Sequence, residues 1–369
     1  MTTKPILLSR LVSLLAMVFT PVVSAFAETA PYPKSSVISG INFNWSTHDR
    51  RAPGSDNWPI TWADNDHQYT SWGDGGGFGG TNQRGRVSLG VGRVEGSADA
   101  YTGYNVWGGH RARNAARFDG KSYGIISIGG ELYKWVSPGS GPANYEEARL
   151  YRSTNHGASW SAAGWRFHQR DGVILPTFLQ FGKDYQGARD NYVYVYASHL
   201  KDGSSLAVQK PGEIALLRAP KRRIMNRSAY EFFAGLDPTG NPKWTTSLSQ
   251  RRPVFTDANG VGWNVSVSYN PGLRRYLLTT EHATSGGGNI GIFDAPNPWG
   301  PWTTVLYQSG FGTPHIEATT FFWNFSSKWF SADGKSFTMI FTGVDDNDSW
   351  NSVQGSFVTQ NTPSPAPPR

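Results

Sequence analysis

The chain contains many short segments in which apolar and polar residues alternate, and this pattern constrains the fold more than any other feature. Alternation with a period of two is typical of strands that bury one face. Asp-Gly pairs such as Asp119-Gly120 and Asp333-Gly334 bound several segments and are typical of hairpin turns. The sequence therefore predicts an all-β fold: a sandwich, a barrel or a propeller. The clearest segments are 123–128, 192–196 (YVYVY), 214–218 (IALLR), 276–280 (YLLTT) and 337–341 (FTMIF).

Residues 153–160, STNHGASW, distinguish between these architectures. They resemble the Asp box, the S-x-D-x-G-x-T-W hairpin turn of sialidase-like propellers, with Asn155 in the aspartate position. A short polar side chain can accept hydrogen bonds from backbone N–H groups, Gly157 tolerates a positive φ, and Trp160 can wedge between sheets. The resemblance implies a single β-propeller with one degenerate Asp-box turn in a structural role. At about 40–50 residues per blade, we expect five blades with long loops rather than seven.

The two ends of the chain differ in composition from the rest. Lys4 and Arg10 accompany an apolar stretch and an Ala-Phe-Ala sequence at 25–27, a pattern typical of a cleaved secretory signal. Residues 1–27 are therefore predicted to be a signal peptide, 28–358 a β-propeller catalytic domain, and 359–369 a disordered, proline-rich tail. The expected location is secreted or periplasmic, without membrane association after cleavage.

Composition excludes several classes of function. The chain has no cysteine, which rules out disulfides, thiol catalysis and cysteine-ligated metals. Its formal net charge is +7, but the basic residues are scattered and form no recognised nucleic-acid-binding motif, so no nucleic-acid partner is predicted. A P-loop, a dinucleotide fingerprint and a G-x-S-x-G elbow are all missing from the sequence, and no cofactor is predicted.

The stretch 56–78, DNWPITWADNDHQYTSWGDGGGF, gives the strongest indication of chemistry. It predicts two short strands joined by a turn and followed by a glycine-rich loop. If Asn65 is the centre of this hairpin, Asp56 and Asp74 are equidistant from it and face each other at the open end, with Cβ atoms about 5 Å apart or somewhat more. Two carboxyl groups at one mouth suit glycosidic cleavage, in which one donates a proton and the other activates water or attacks carbon.

The neighbours of this aspartate pair would complete a sugar site. Trp58 and Trp72 would offer stacking surfaces, Asn57 would form hydrogen bonds, and the glycines at 75–77 would allow the backbone to approach a sugar ring. The alternative is purely structural: Asp56 caps a turn and the other aspartate begins an ordinary Asp-Gly turn.

Four segments carry a family resemblance: the 56–78 stretch, YEFFAGLD at 230–237, VSYNPGLRRYLLTTEH at 267–282 and NPWGPWTTV at 297–305. They resemble a secreted bacterial five-bladed propeller family formerly catalogued only as a domain of unknown function, some relatives of which are endo-D-arabinanases. These glycoside hydrolases have two essential aspartates near the N-terminus, and the resemblance implies that Asp56 and Asp74 are that pair. The sequence after Asp74, GGGF, differs from the shorter G-D-T loop of the arabinan-active members, which leaves the substrate open.

A second cluster lies in 101–118, YTGYNVWGGHRARNAARF. It has a weaker resemblance to the His/Tyr/Arg site of propeller polysaccharide lyases, notably ulvan lyases. Such a lyase needs a base to remove the proton α to a uronate carboxylate and a cation to neutralise that carboxylate. His110 or a tyrosine would be the base, and Arg117 the cation. The cluster consists of Tyr101, Tyr104, His110, Arg111, Arg113 and Arg117. In a hydrolase, the residues predicted to bind substrate are Tyr104, Asn105, Trp107, His110 and Arg117.

Two later dipeptides, Trp263-Asn264 and Glu281-His282, flank a predicted strand pair and could reach a central channel. Glu281 is the best candidate for a third catalytic carboxyl group, and the other three residues are predicted to bind substrate. Neither the pair His315 and Glu317 nor the acidic run at 345–348 has the spacing of a known metal site. No metal ligand is therefore predicted, and a structural calcium or other divalent ion stays open.

The leading hypothesis is a secreted, monomeric glycoside hydrolase that cleaves a polysaccharide or oligosaccharide with an aspartate acid/base pair. One rival is a polysaccharide lyase that cleaves uronate-containing glycans by β-elimination. The other is a non-catalytic carbohydrate-binding propeller, in which the aspartates only accept hydrogen bonds from sugar hydroxyl groups.

Overall fold

The computed structural model describes residues 28–138, 145–200, 207–317, 319–343 and 348–360. The predicted signal peptide and most of the predicted tail lie outside these residues. The described chain forms 23 β-strands, and its only helices are six 3₁₀ turns of three residues, so the all-β prediction is confirmed. None of the helices in this part of the chain is long and apolar enough to cross a membrane. The 3₁₀ turns are Gln169–Asp171, Lys183–Tyr185, Lys221–Arg223, Arg227–Ala229, Leu248–Gln250 and Ser327–Trp329.

The first two sheets are antiparallel meanders that follow the order of the chain. In the first, β2, β3, β4 and β5 pair in sequence; in the second, β6, β7 and β8 do so, with β9 and β10 both pairing with β8. The bounds are β2 Ile60–Trp62, β3 Gln68–Gly73, β4 Leu89–Gly96, β5 Tyr101–Trp107, β6 Gly120–Ile128, β7 Glu131–Pro138, β8 Glu147–Ser153, β9 Ser161–Ala162 and β10 Phe167–His168.

Two further meanders join into one ten-stranded sheet. Strands β11 to β16 form one, β17 to β20 form the other, and the first strands of each, β11 and β17, pair in parallel through two residues. The bounds are β11 Pro176–Gln180, β12 Tyr192–Ser198, β13 Gly212–Pro220, β14 Glu231–Leu236, β15 Pro242–Thr245, β16 Pro253–Asp257, β17 Ser266–Asn270, β18 Arg275–Glu281, β19 Ile290–Ala295 and β20 Thr303–Gln308.

The last sheet joins the two ends of the described chain. Its strands are β21 (Phe321–Phe325), β22 (Ser336–Thr342), β23 (Trp350–Thr359) and β1 (Ile38–Arg51), and β1 pairs antiparallel with β23 along most of its length. The N-terminal strand therefore closes the final meander.

The first strands of successive meanders are neighbours in space. Strand β6 contacts β2 and β11, β11 contacts β17, and β17 contacts β21. Loops that enter these inner strands therefore converge on one region. This convergence brings together side chains that are far apart in sequence.

The turn at 153–160 is held together by its own side chains. The Ser153 hydroxyl oxygen accepts from the Gly157 N–H at 2.9 Å, and the side-chain oxygen Oδ1 of Asn155 accepts from the Ser159 N–H at 2.9 Å. The Trp160 indole N–H donates to the Gly157 carbonyl oxygen at 3.0 Å, and Gly157 has φ 86°. Asn155 thus performs the turn-closing hydrogen bonding expected of a short polar residue at this position.

A lysine lies inside the core next to this turn. Lys134, on β7, is fully buried, and its ammonium nitrogen has no hydrogen-bond partner among the described residues. The ammonium lies 4.0–4.6 Å from the ring centroids of Trp107, Phe118 and Trp160. Because burial penalises the charged form, the pKa of Lys134 is well below its ordinary value.

We expect Lys134→Met to retain or raise the thermal midpoint, because methionine fills a similar volume without a charge to desolvate. Lys134→Ala is the control: it leaves a cavity among the three rings and lowers the midpoint by several degrees. Thermal unfolding at pH 7 measures both. An equal loss in the two variants would mean that the contact between the ammonium and the rings outweighs its burial cost.

Candidate active site

The first hairpin has the expected centre, with a shift by one residue at its open end. Ile60 pairs with Thr70 and Trp62 with Gln68, which centres the turn on Asn65. At the open end Asp56 pairs with Gly73 instead of Asp74. The shift follows from the backbone, because Asn57 and Asp74 both have positive φ, 58° and 54°, and interrupt regular pairing.

Asp56 and Asp74 approach the same lysine. The Lys121 ammonium forms an ion pair with Asp74 Oδ1 at 2.5 Å and donates to the Ser88 carbonyl oxygen at 3.3 Å. A Cβ atom at Gly73 would lie 2.5 Å from Asp56 Oδ1 and 3.0 Å from Lys121 Nζ, so both groups crowd this glycine. Only a residue without a side chain leaves room for the lysine beside the two aspartates.

The two aspartates have different surroundings. Asp74 is 36 % exposed and forms a second ion pair with Arg86 at 3.3 Å. Asp56 Oδ1 is buried and has no hydrogen-bond partner among the described residues. Burial raises the pKa of Asp56 to about 8, against the opposing influence of the Lys121 ammonium and with smaller upward contributions from Asp348 and Asp74.

Asp348 brings a third carboxyl group to this cluster from the loop before β23. Burial raises its pKa, the negative charge of Asp74 raises it further, and Lys121 and Arg86 oppose the shift. The Asp348 carbonyl oxygen accepts a hydrogen bond from the Gly54 N–H. The cluster therefore unites the first hairpin, β6 and the last sheet.

Aromatic side chains lie next to the carboxyl cluster, and we call the cluster together with these rings the mouth. Tyr123, on β6, is buried, and its ring contacts Trp263 edge to face at 5.1 Å. Trp263 in turn contacts Phe321 at 6.0 Å, and the hydroxyl groups of Tyr123 and Tyr145 are 3.5 Å apart. Burial raises the pKa of Tyr123 well above its ordinary value, and the charges of Asp56 and Asp74 raise it further, which places this tyrosine within electrostatic range of the carboxyl cluster.

Glu281 lies at the end of β18 and is completely buried. Its Oε1 atom accepts from the Gly286 N–H at 2.7 Å, whereas Oε2 has no partner in the described chain. Burial raises the pKa of Glu281 to about 8. Asn264, also buried, has neither side-chain atom hydrogen-bonded, and extending the β17–β18 register by two residues sets it opposite Glu281.

The other residues singled out beside the aspartates are buried. Trp58 and Trp72 have no exposed surface; their rings pack at 5.6 Å, and Trp58 also contacts Trp350 at 5.3 Å. Asn57 is buried as well, and its N–H donates to the Thr342 hydroxyl at 3.0 Å. The indoles therefore support the hairpin from inside the core and offer no surface to a sugar in this structure.

The 101–118 cluster does not converge on a single point. The Tyr101 hydroxyl accepts from Trp350 Nε1 at 2.9 Å inside the core, and Trp107 contacts buried Lys134. Asn105 holds loops together, because its amide donates to the carbonyl oxygens of Gly76, Phe78 and His110 at 2.8–3.0 Å. The side chains of Tyr104 and Arg117 are exposed, and His110 is half-buried.

His282 points away from Glu281, as expected for consecutive residues at a strand end. Its ring stacks on Tyr307 at 3.8 Å, Nδ1 lies 2.6 Å from a Glu28 carboxylate oxygen, and Nε2 lies 3.2 Å from the Gln308 carbonyl oxygen. Both ring nitrogens thus have partners outside the mouth.

Within the described residues, no group of three or more His, Asp or Glu side chains could hold a metal ion. The His315 ring stacks on Trp45 at 5.6 Å. Residues 345–347 of the acidic run lie outside the described residues.

Residues 123–321 match the family model described as a domain of unknown function, DUF4185. The chain belongs to this family. Asp56, Asp74, Lys121 and Asp348 lie outside the matched residues. A search of curated proteins found no match.

Two solved structures with propeller folds are similar to this family member. One is a "putative hydrolase" from Bacteroides ovatus ATCC 8483, 12 % identical, with 85 % of this chain and 90 % of that chain covered and a TM-score of 0.52. The other is a thermostable family-43 glycoside hydrolase, 11 % identical, with 86 % and 97 % covered and a TM-score of 0.50. At this identity the similarity establishes the propeller type of fold.

Sequence reasoning missed Lys121, Tyr123 and Asp348. Lys121 and Tyr123 lie near the start of strand β6, Gly120–Ile128. A lysine at the start of an inner strand is the sequence signal that could have identified the partner of the aspartates. Asp348 belongs to the acidic run at 345–348, which lacks the spacing of a known metal site, and only the closure of the last sheet brings it to the mouth.

The raised pKa of Glu281 makes stability depend on pH. The folded state holds this proton up to about pH 8, whereas the unfolded chain releases it near its ordinary value, so the stabilisation is present in acid and lost as the pH rises through 8. We expect Glu281→Gln to match the wild type at pH 5 and to melt at least about 2 °C higher at pH 9. Scans from pH 5 to 9 measure the slope. Glu146→Gln, at an exposed position, should keep the wild-type slope; an unchanged slope in Glu281→Gln would contradict the assignment.

Proposed function

We propose that this protein is a glycoside hydrolase that cleaves a polysaccharide or oligosaccharide with Asp56 and Asp74. The observation that carries the proposal is the unlike environment of two aspartates beside one lysine. Asp56 is desolvated, whereas Asp74 is partly exposed and ion-paired with two cations. Glycosidic cleavage needs such a difference between two carboxyl groups, one protonated and one ionised.

Asp56 is the general acid in this proposal. A carboxyl group with a pKa of about 8 keeps its proton at neutral pH and can donate it to the departing glycosidic oxygen. Asp74, whose charge is balanced by Lys121 and Arg86, is the ionised partner that activates water or attacks the anomeric carbon. Lys121 holds the ionised carboxylate in place and limits the charge repulsion between the aspartates.

The aromatic side of the mouth is proposed to accommodate the sugar. Trp263 is half-buried, so the exposed part of its indole ring is proposed to contact the sugar, while its indole N–H is buried and has no partner among the described residues. Buried Glu281 and Asn264 also have unpaired polar atoms, which could fix the position of a hydroxyl group at the base of the mouth.

The fold supports this function as an analogy, because both similar structures are described as hydrolases and one as a glycoside hydrolase. We propose that the five antiparallel meanders are five propeller blades within one domain. We also propose that residues 1–27 direct the chain to a secreted or periplasmic location, where a polymeric glycan would be available.

The lyase alternative has less support. It needs a base and a cation at one point, whereas the Tyr101 hydroxyl is bonded inside the core and the Arg117 side chain is exposed. A hydrolase and a lyase also differ in their products, because only β-elimination leaves an unsaturated uronate that absorbs ultraviolet light.

We expect Asp56→Asn and Asp74→Asn each to fold and to lower kcat at least about 100-fold, because each removes one partner of the acid/base pair. Release of reducing ends from a panel of neutral and uronate-containing polysaccharides measures activity, with ultraviolet absorbance recorded in parallel.

Asp237→Asn, in an exposed turn whose hydrogen bonds an asparagine oxygen can also accept, is the matched control. Full activity in both aspartate variants would refute the pair. Absorbance would favour the lyase, and glycan retention without products would favour a binding protein.

We expect Lys121→Met to move the alkaline limb of kcat/KM upward by about 0.5–1 pH unit. The ammonium favours ionised Asp56, so its removal raises the pKa of that acid and extends activity to higher pH. The pH profile of residual activity measures this shift. Lys243→Met, an exposed change in β15, should leave the limb in place; an unshifted limb in Lys121→Met would mean that Asp56 is not the titrating acid.

A further inference from the structure

A cleft of about 440 Å³ lies between the outer edge of the first sheet and the 153–160 turn of the second. We call it the rim groove. No carboxylate lines it in the described part of the chain. Its lining includes Arg93, Tyr104, Arg111, Arg113, Asn155 and His156.

Two arginines give the rim groove positive charge that the protein itself does not neutralise. Arg93 is paired with Glu95 at 2.6 Å, so its charge is balanced locally, and His156 Nε2 lies 2.8 Å from an Asp64 carboxylate oxygen. Arg111 and Arg113 are exposed and have no ion pair or hydrogen bond with any described residue. Guanidinium groups bind carboxylates and sulfates through paired N–H donors, so these two are available to an anionic ligand.

An aromatic side chain lies beside these cations. Tyr104 is 44 % exposed, and one face of its ring is covered by the Arg93 guanidinium at 5.3 Å. Large apolar side chains are rarely so exposed in the described chain, where only Leu236 and Val358 are comparable. An aromatic ring held against a charged group offers a rigid surface on which a sugar ring can stack.

The rim groove is separate from the mouth. It includes Asn65, at the turn of the first hairpin, whereas Asp56 and Gly73 are at the opposite, open end of that hairpin. Asn105 lines the groove and fastens the glycine-rich loop that follows Asp74 through Gly76 and Phe78. The two regions are thus connected by hydrogen bonds, but their lining side chains differ.

We propose that the rim groove is a second, non-catalytic binding site for an acidic oligosaccharide. A uronate carboxylate would pair with Arg111 and Arg113, and a neighbouring sugar ring would stack on Tyr104. The volume of the cleft is that of a small-molecule site, and it lacks the long basic stripe that a nucleic acid would require. This proposal does not depend on catalysis at the mouth.

The test uses full-length protein carrying Asp56→Asn and Asp74→Asn, so that binding is measured without turnover. Calorimetric titration with an oligogalacturonate hexasaccharide should give saturable binding that weakens with added salt, and uncharged xylohexaose should bind at least about tenfold more weakly. Adding Arg111→Ala and Arg113→Ala should weaken oligogalacturonate binding about tenfold, and Tyr104→Ala several-fold.

The matched control removes two exposed arginines elsewhere, Arg222 and Arg223, with the same loss of charge. An oligogalacturonate affinity within about twofold of the parent protein's supports the rim groove. A loss of affinity equal to that caused by Arg111→Ala and Arg113→Ala would overturn the proposal in favour of general attraction to a basic protein. Undetectable oligogalacturonate binding, or tighter binding of a single-stranded oligonucleotide through the same arginines, would also overturn it. Loss of hydrolysis in the single aspartate variants bears only on the mouth, so the two proposals fail independently.

Discussion

The mouth depends on the positive charge of the Lys121 ammonium, which lies beside the aspartates. Asp56, Asp74 and Asp348 come from separate parts of the chain, and three carboxyl groups so close would repel one another if all were ionised. The lysine, itself 11 % exposed, offsets part of this repulsion and binds Asp74 directly. Protonation of Asp56 removes the rest of the repulsion, and burial also favours this protonated form. Aspartate side chains alone can therefore supply both a protonated and an ionised carboxyl group to this cluster.

The sequence predicted those elements that depend only on the pattern of neighbouring residues. Alternation located the inner parts of β6, β12, β13, β18 and β22, and the two short strands predicted on either side of an Asn65 turn are β2 and β3. The one-residue shift at Asp56 was beyond such a rule, because it comes from two residues of positive φ that a side-chain pattern does not indicate. The family resemblance and the similar solved structures agree on a propeller-type fold, while the number of blades stays a prediction.

Side-chain roles were harder to predict than strands. Trp58 and Trp72 are as apolar as a sugar-stacking surface must be, but the same property buries them against each other in the core, where Trp58 also packs on Trp350. Lys121 and Asp348 were missed for the opposite reason, since their partners lie in other sheets and only tertiary closure brings them together. Glu281 and Asn264 keep unpaired polar atoms inside the core, and such groups are costly to bury without partners.

The pairing of β1 with β23 also governs the order in which the molecule can be completed. The first strand has its partner more than 300 residues later, so the last sheet cannot form until the C-terminal strand has been synthesised. Contacts of such long range are slow to form, because a long loop must close before the pairing stabilises it. Asp348 reaches the mouth through this same sheet. A ribosome-bound chain would therefore hold its first hairpin without the full carboxyl cluster, and the chemistry proposed for the mouth would begin only in the finished protein.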